Sequence, residues 1–548
     1  MPKITLDKER VLKIIGKKLD DNQLKHHLGY LGTDVEAVTK ESIEVEIFPN
    51  RPDLLSEEGL GRALRSFTGK EKGLRKYSAK KSNYKVIIDK SVKKVRPYTA
   101  CAVVKGLELD EKKIEDIIEI QEKLHITYGR NRKKCAIGVY PLENISFPIT
   151  YKALPREQVL FRPLGSDKKL TGKQILELHE KGKEYAYLLE KEKEYPLFID
   201  GKGSIMSMPP IINSEETGKV SLKTKDVFVE CSGHDFRVLS KALNMVVTAL
   251  SDMGGVVHEV KLVNENKKTP EFNPEEVFVR KNYVEKLIGL SLSDNEIIGS
   301  LEKMGFGVSK KKDGFLVIIP CYRSDILHEA DIVEDISIGF GYDKIQENNV
   351  RPETPGEESF KEVVKGKLRE LMLGHGLLEA RNYYLANYSF QKKYFPKDVV
   401  KIKNALSEEY DSLRFNILGS LLKTLKVNKH HDYPQAFFEI GKVFSKKGSE
   451  ETGVKEEEAL GVVFCGDNSN FTLAKQHLDS VFSLLGLEYD LVGGEDAFMM
   501  KGRCGIVKFK GKVVGFVGEL SPVVLYDIGL EVPVSGFEIV IDGLFESF

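Results

Sequence analysis

The sequence predicts a multidomain α+β protein on three observations. Its 548 residues exceed what one hydrophobic core serves, and about 100–200 residues per domain gives three to four domains. Apolar residues recur with strand-like and helix-like periods in alternation through the first two thirds of the chain. The last third pairs helical patterns with short alternating strands broken at glycines, the pattern of an antiparallel sheet. A content of 41% hydrophobic and 30% charged residues is that of an ordinary soluble globular chain. Lys plus Arg equals Asp plus Glu at 83 each, which excludes a nonspecific polyanion binder but leaves room for a local basic stripe.

The elements follow in order. Residues 1–85 form an N-terminal α/β module: a helix with Leu24, Leu28 and Leu31 at 3–4 spacing, an apolar strand Ile43–Phe48 and a second helix. Residues 95–265 form a second domain. In it PLFIDGKGSIMSMPPIIN reads as a hairpin turning at Asp200–Gly203, and KTKDVFVECSG as a strand with Val227 and Val229 facing away from Phe228 and Glu230. An amphipathic helix from Val238 to Leu250 follows, stopped at Gly254–Gly255. Residues 272–346 form a third domain. After the linker RPETPGEE, residues 355–548 form a fourth, with strands QAFFEIGKVF, ALGVVFCG, the hairpin CGIVKFKGKVVGFVGEL and GFEIVID. The six cysteines lack metal or disulfide spacing. No apolar run reaches the roughly 18 residues of a membrane span, and a soluble cytoplasmic protein with no membrane partner is expected.

The densest chemistry lies in RSDILHEADIVEDISIGFG, Arg323–Gly341. If Ile326–Ile338 is helical, Asp331, Glu334 and Asp335 share one face, with Asp325 just before it and Ile332, Val333, Ile336 and Phe340 opposite. Like charges so spaced repel by about 0.2–0.5 kcal/mol per pair. A hard cation would turn that cost into a site, and Mg²⁺ suits carboxylates without His or Cys; a solvated acidic face is the alternative. An internal echo, IEVEIFPNRPDLLSEEGLGRALRSFTG, aligns Arg51 and Asp53 with Arg323 and Asp325 but sets Gly59, Arg62 and Ala63 against the three helical acids. The shared R-x-D turn is therefore scaffold, and the acids belong to the second copy alone.

Over nearly its whole length the chain resembles the beta subunit of phenylalanyl-tRNA synthetases of archaeal and eukaryotic type. The resemblance rests on the two segments just quoted, on PLFID…SMPPIINSEETGKV, KTKDVFVECSGHD and SLRFNILGSLLKTLKVN…FFEIGKVF. It implies that 95–265 is a B3/B4 tRNA-editing domain, 272–346 a B5 domain, and 355–548 a class II synthetase-like antiparallel sheet with helices. It places magnesium on Asp325, Asp331, Glu334 and Asp335, the residues the helical spacing had already grouped. It also implies an alpha-subunit partner, an α2β2 heterotetramer and tRNA(Phe) as ligand. The chain is expected to lack both the oligonucleotide-binding-fold insertion and the C-terminal anticodon-binding domain of bacterial relatives.

Two departures shape the functional expectation. Class II ATP chemistry relies on arginines as bidentate phosphate donors, yet the strand QAFFEIGKVF and the last strand carry none, and Arg503 is the only arginine after Arg414. GSDKKLTGKQ lacks the spacing and final Ser/Thr of a P-loop. The last domain is expected to be catalytically inactive, with no aminoacylation residues in this chain. A phenylalanine enzyme meets tyrosine, and a hydrophobic pocket rejects an added hydroxyl by only about 10²-fold, so a second, hydrolytic site is expected in 95–265. Its candidates are Ser207, Asn213, Glu230 and Ser232; turn-side Ser and Asn that bond their own backbone are the alternative, and His234 reads as a turn residue. The expected function is ligation of phenylalanine to tRNA(Phe) as part of the complex, with hydrolysis of Tyr-tRNA(Phe). A scaffold subunit without editing is the alternative, and a stand-alone Mg²⁺-dependent phosphoryl-transfer enzyme lacks a phosphate loop.

Overall fold

A computed structural model describes residues 2–349, 354–396 and 398–545. It divides into two compact units, Met1–Asn349 and Val350–Phe548, so the first three sequence domains pack as one body. Residues 351–353 of the expected linker lie outside the described residues.

In the first unit, the N-terminal module is a three-stranded sheet, Lys3–Asp7, Ser42–Ile47 and Thr33–Val38 with the second in the middle, carrying the helices Lys8–Ile15, Asp21–Tyr30 and Glu57–Phe67. The central domain is built on a ten-stranded sheet. It includes Lys85–Ile88, which pairs in parallel with Ile149–Pro155 and Val256–Val263, and Lys267–Thr269 on the far side of Val256–Val263. The expected bounds of 1–85 and 95–265 are corrected accordingly: Val86 and Ile88 alternate inward to the central core, so this short strand belongs to the second domain. The hairpin expected around Asp200 is Glu194–Ile199 against Ile205–Met208.

Next to one edge of this sheet runs Val227–Gly233, flanked by Tyr98–Lys105 and by the edge strand Cys135–Pro141 and buried at all seven positions. Val227, Val229 and Cys231 pack on the side of the helix Phe236–Asp252, and Phe228 on the other, as period-2 alternation requires. Glu230 and Ser232 therefore point to the Phe228 side. The third domain is a small sheet of Glu275–Arg280, Gly314–Ile319 and Gly307–Lys311 with the helices Lys281–Ile288, Asp294–Lys303 and Glu329–Phe340.

The second unit carries a seven-stranded sheet whose centre is Gln435–Lys446, Val454–Cys465 and Val534–Val540, all antiparallel. Phe360–Gly374 and Phe471–Leu484 cover one face; Leu418–Val427 and Pro522–Ile528 cover the other. All six cysteines are buried and free. Among the described residues no helix is long and apolar enough to cross a membrane.

Candidate functional site

The acidic segment is arranged differently from its expected face. The helix begins at Glu329, three residues later than expected, because Asp331 turns back to cap it: Oδ2 accepts from the backbone N–H of Leu327 at 2.7 Å and of His328 at 2.8 Å. Arg323 clasps Asp325 bidentately at 2.8 and 2.7 Å and donates to Asp335 Oδ2 at 2.6 Å. Asp335 is buried among Ile332, Val333 and Ile336, and Glu334 is exposed. The shared exposed face of Asp331, Glu334 and Asp335 is thus corrected: a buried guanidinium draws Asp335 inward. The four carboxylates do not fit a common magnesium cage. Three of them are engaged by Arg323 or by backbone N–H groups, and among the described residues no three His, Cys, Asp or Glu gather as metal ligands. The echo repeats the clasp, with Arg51 holding Asp53 at 2.9 and 2.9 Å, so R-x-D is a self-paired turn in both copies.

The central domain carries a different kind of carboxylate. Glu230 stands mid-strand, 2% exposed, in register with Gly138 on one side and Cys101 on the other. A Cβ at Gly138 would lie 2.7 Å from Glu230 Oε1, so only glycine leaves room for the acid. The Tyr140 hydroxyl is 3.2 Å from Glu230 Oε1 and 3.1 Å from Asn213 Oδ1. Glu230 Oε2 and Ser207 Oγ are buried with no hydrogen-bond partner among the described residues. Burial pushes the Glu230 carboxyl up to about 8, against the nearby Arg96 charge and Tyr140. At neutral pH the group is therefore mostly a neutral acid, which gives the Tyr140–Glu230 contact a second proton to share.

Glu230 and Asn213 line a cavity of about 560 Å³ together with His125, Arg132, Ile137 and Pro209–Ile212. Its wall is fastened by a buried polar network. Ile137 N–H donates to His125 Nε2 at 2.7 Å, which puts the imidazole proton on Nδ1 facing Glu122 Oε1 at 3.2 Å. Arg132 Nη2 donates to the same Glu122 oxygen at 2.9 Å, and Nη1 to the Ile211 carbonyl at 2.7 Å. Burial alone would raise Glu122, but the His125 hydrogen bond and the Arg132 charge hold it at about 2; burial lowers His125. Glu122 and Arg132 thus form an ion pair beside a neutral imidazole with both nitrogens engaged. This trio shapes the cavity; among its described lining residues Glu230 is the carboxyl with an unspent oxygen, beside the unpartnered Arg132 Nε and His179 Nδ1.

Of the four expected residues, the structure brings Glu230 and Asn213 together at the cavity through Tyr140. Ser207 is the register partner of Asn213 on the adjacent strand. Ser232, two residues beyond Glu230, accepts from Arg96 Nε at 3.2 Å. Tyr140, Gly138, His125, Arg132 and Arg96 escaped sequence reasoning. The one available signal was the basic run Arg130–Lys134 before the apolar strand Cys135–Pro141.

In the second unit, the two strands that lack the expected arginines carry buried acids instead. Glu439 is 2% exposed and accepts from Arg414 Nη1 at 2.5 Å and Asn382 Nδ2 at 2.8 Å. Glu538 Oε2 accepts from the backbone N–H of Ile417 at 2.9 Å and Leu418 at 3.0 Å, where a helix begins, and burial pushes it up to about 7. Arg503 is occupied by Glu519 at 2.9 Å.

Two family models match the chain: the tRNA synthetase B5 domain over residues 277–342 and the phenylalanyl tRNA synthetase beta chain CLM domain over residues 349–541. Among curated relatives, the phenylalanine–tRNA ligase beta subunit of Pyrococcus horikoshii is 38% identical over 561 residues, covering 100% of both chains. Those of Thermococcus gammatolerans and Archaeoglobus fulgidus are each 37% identical and cover 100% of this chain and 99% of the relative. The crystal structure of an N-terminal fragment of the phenylalanyl-tRNA synthetase beta-subunit from Pyrococcus horikoshii matches with a TM-score of 0.60 at 40% identity, over 62% of this chain and 100% of that one.

Proposed function

The chain belongs to the family of phenylalanine–tRNA ligase beta subunits, and from that premise we propose that it serves with an alpha subunit, as an α2β2 assembly, in attaching L-phenylalanine to tRNA(Phe), while its own central domain, the B3/B4 domain, hydrolyses Tyr-tRNA(Phe). The observation that carries the second half is the unpartnered Glu230 Oε2 on the wall of the 560 Å³ cavity. A site with a buried polar atom left open discriminates strongly for the ligand that completes it: it accepts a substrate hydroxyl and rejects the analogue lacking one by about 10⁴–10⁵-fold. Glu230 with Tyr140 is such a site for a phenol. A tyrosyl ring entering the cavity pairs its hydroxyl with the neutral Glu230 carboxyl, whereas a phenylalanyl ring leaves that carboxyl unsatisfied. Binding energy at the ring then holds the ester for attack by water, which gives its hydroxyl to the acyl carbon and its proton to the released ribose oxygen. Asn213 supports Tyr140, with Ser207 paired beside Asn213 on the adjacent strand; Ser232 holds Arg96.

Amino-acid activation is assigned to the alpha subunit. On the two strands where a class II site needs phosphate-binding arginines stand Glu439 and Glu538, which offer a triphosphate no cation, and the sheet face is filled by Arg414 and the helix Leu418–Val427.

The test is deacylation of Tyr-tRNA(Phe) by the chain assembled with its alpha subunit. Glu230→Leu, which removes the hydrogen-bonding carboxyl, should slow it on the order of 10²-fold with phenylalanine charging unchanged, because the two reactions lie on different chains. Unchanged deacylation would leave a scaffold subunit without editing.

A further inference from the structure

Across Pro210 from the Glu230 cavity lies a second cavity of about 280 Å³, lined by Arg96, Lys133, Tyr187, Pro210 and His234. Pro210 lines both. Arg96 is 3% exposed, yet it makes no ion pair among the described residues. Its Nε donates to Ser232 Oγ at 3.2 Å, and Nη2 to the carbonyls of Ser232 at 2.5 Å and Arg132 at 3.2 Å. Nη1 has no partner. Buried charges are ordinarily paired, and the acid that feels this one, Glu230, stands outside ion-pair range. A buried guanidinium compensated only by oxygen dipoles on a cavity wall is a vacancy for an anion.

The rim adds two further features. Arg130, Asn131 and Arg132 are consecutive non-glycine residues with φ of 49°, 52° and 63°, a left-handed run that persists only where its surroundings enforce it. Arg132 anchors the turn inward through Ile211 and Glu122, and Arg130, Lys133 and Lys134 are left exposed. On a chain with no net charge, this is a local basic ridge. The Tyr187 ring is 54% exposed and donates its hydroxyl to the Asn131 carbonyl at 3.3 Å, so the turn itself holds an aromatic platform at the cavity's edge. Basic groups beside an exposed ring are what single-stranded nucleic acid needs: charge for the phosphate and a face for the base.

We propose that this second cavity is a subsite for the nucleotide preceding the esterified one at the 3′ end of the RNA, with Arg96 and Lys133 taking its phosphate and Tyr187 stacking its base. The proposal rests on the reading of the Glu230 cavity as the ester-hydrolysing pocket. It is tested on the assembled complex with two substrates, Tyr-tRNA(Phe) and 3′-tyrosyl-adenosine, which lacks that nucleotide. Lys133→Glu and Tyr187→Ala should each raise KM for Tyr-tRNA(Phe) about tenfold and leave tyrosyl-adenosine hydrolysis unchanged. Lys133→Glu should also lower the salt dependence of tRNA binding by about one ion. Tyr187→Phe keeps the ring and drops the bond to Asn131, and should keep the wild-type KM. An unmoved KM for Tyr-tRNA(Phe), or equal losses on both substrates, would overturn the subsite. If inorganic phosphate binds with these variants removing its binding but not shifting KM, the cavity is a free-anion site and the RNA assignment falls. Failure of the underlying reading looks different: Glu230→Leu would then hydrolyse both substrates at the wild-type rate.

Discussion

Glu230 in the central domain and Glu439 in the C-terminal sheet are equally buried, both in the middle of a strand. They differ in what their oxygens do. Glu439 spends both, on Arg414 and Asn382; Glu538, two strands away, gives one oxygen to two backbone N–H groups at a helix start. Glu230 has one long contact to Tyr140 and one unpartnered oxygen, and it faces a cavity. Burial of a charge therefore does not mark function. Burial with hydrogen-bonding capacity left unfilled in a residue that lines a cavity does, because folding gains nothing from the unpaired atom and a ligand would.

The comparison breaks most visibly in the C-terminal unit. Arg414→Leu strands Glu439 without its cation and should cost about 3–5 kcal/mol in urea denaturation, whereas adding Glu439→Leu should recover most of the loss, since replacing both partners removes the buried charge. If the double variant is as unstable as the single one, Arg414 acts through packing on Tyr384 rather than through Glu439.

A second prediction uses pH. The Glu230 carboxyl is raised from 4.5 to about 8, so the folded state holds its proton more tightly than the unfolded chain. The stability this contributes is fully present below about 4.5 and lost as pH rises through about 8. Glu230→Gln cannot release a proton and should flatten the loss in thermal melts between about pH 5 and 8, leaving the variant the more stable at pH 8 by on the order of a few kcal/mol. Glu538, raised to about 7, acts with the same sign and remains in both proteins. A Glu230→Gln curve parallel to wild type would mean that Glu230 is ionised in the folded chain.

The acidic helix supplies the smaller effects. Asp335→Asn weakens a buried charged bond to Arg323 and should cost about 1–3 kcal/mol. Asp331→Asn loses part of a cap, at about 1 kcal/mol or less, and Glu334→Gln should stay within about 0.5 kcal/mol. None should change on adding Mg²⁺. A saturable Mg²⁺ heat in the wild-type chain, abolished by Asp331→Asn, would restore the cation site that the helical spacing suggested.

Periodicity carried most of the fold into the sequence reading. Val227–Gly233, the helix after it and the C-terminal hairpins stand where alternation and glycine stops put them. Lys85–Ile88 was missed because four residues are too few to show a period. Glu230 was legible as an acid in a run of apolar residues; its environment was not, since Tyr140, Arg96 and Asn213 converge on it from distant strands. The acidic helix misled for a related reason. A wheel assigns charged residues to solvent, but Arg323, four residues upstream of Leu327, is itself buried and takes Asp335 inside with it. The R-x-D echo held the clue, because a turn that pairs its own arginine and aspartate in one copy does so in the other.

The most direct test of the central claim is the ratio of deacylation rates for Tyr-tRNA(Phe) and Phe-tRNA(Phe), measured on the assembled complex with Glu230→Leu beside the wild type. A site completed by a phenol hydroxyl predicts a large preference for the tyrosyl ester in the wild type. In Glu230→Leu that preference should collapse toward one, through loss of the tyrosyl rate, with charging by phenylalanine intact. A ratio unchanged by Glu230→Leu would contradict the account, whatever the absolute rates.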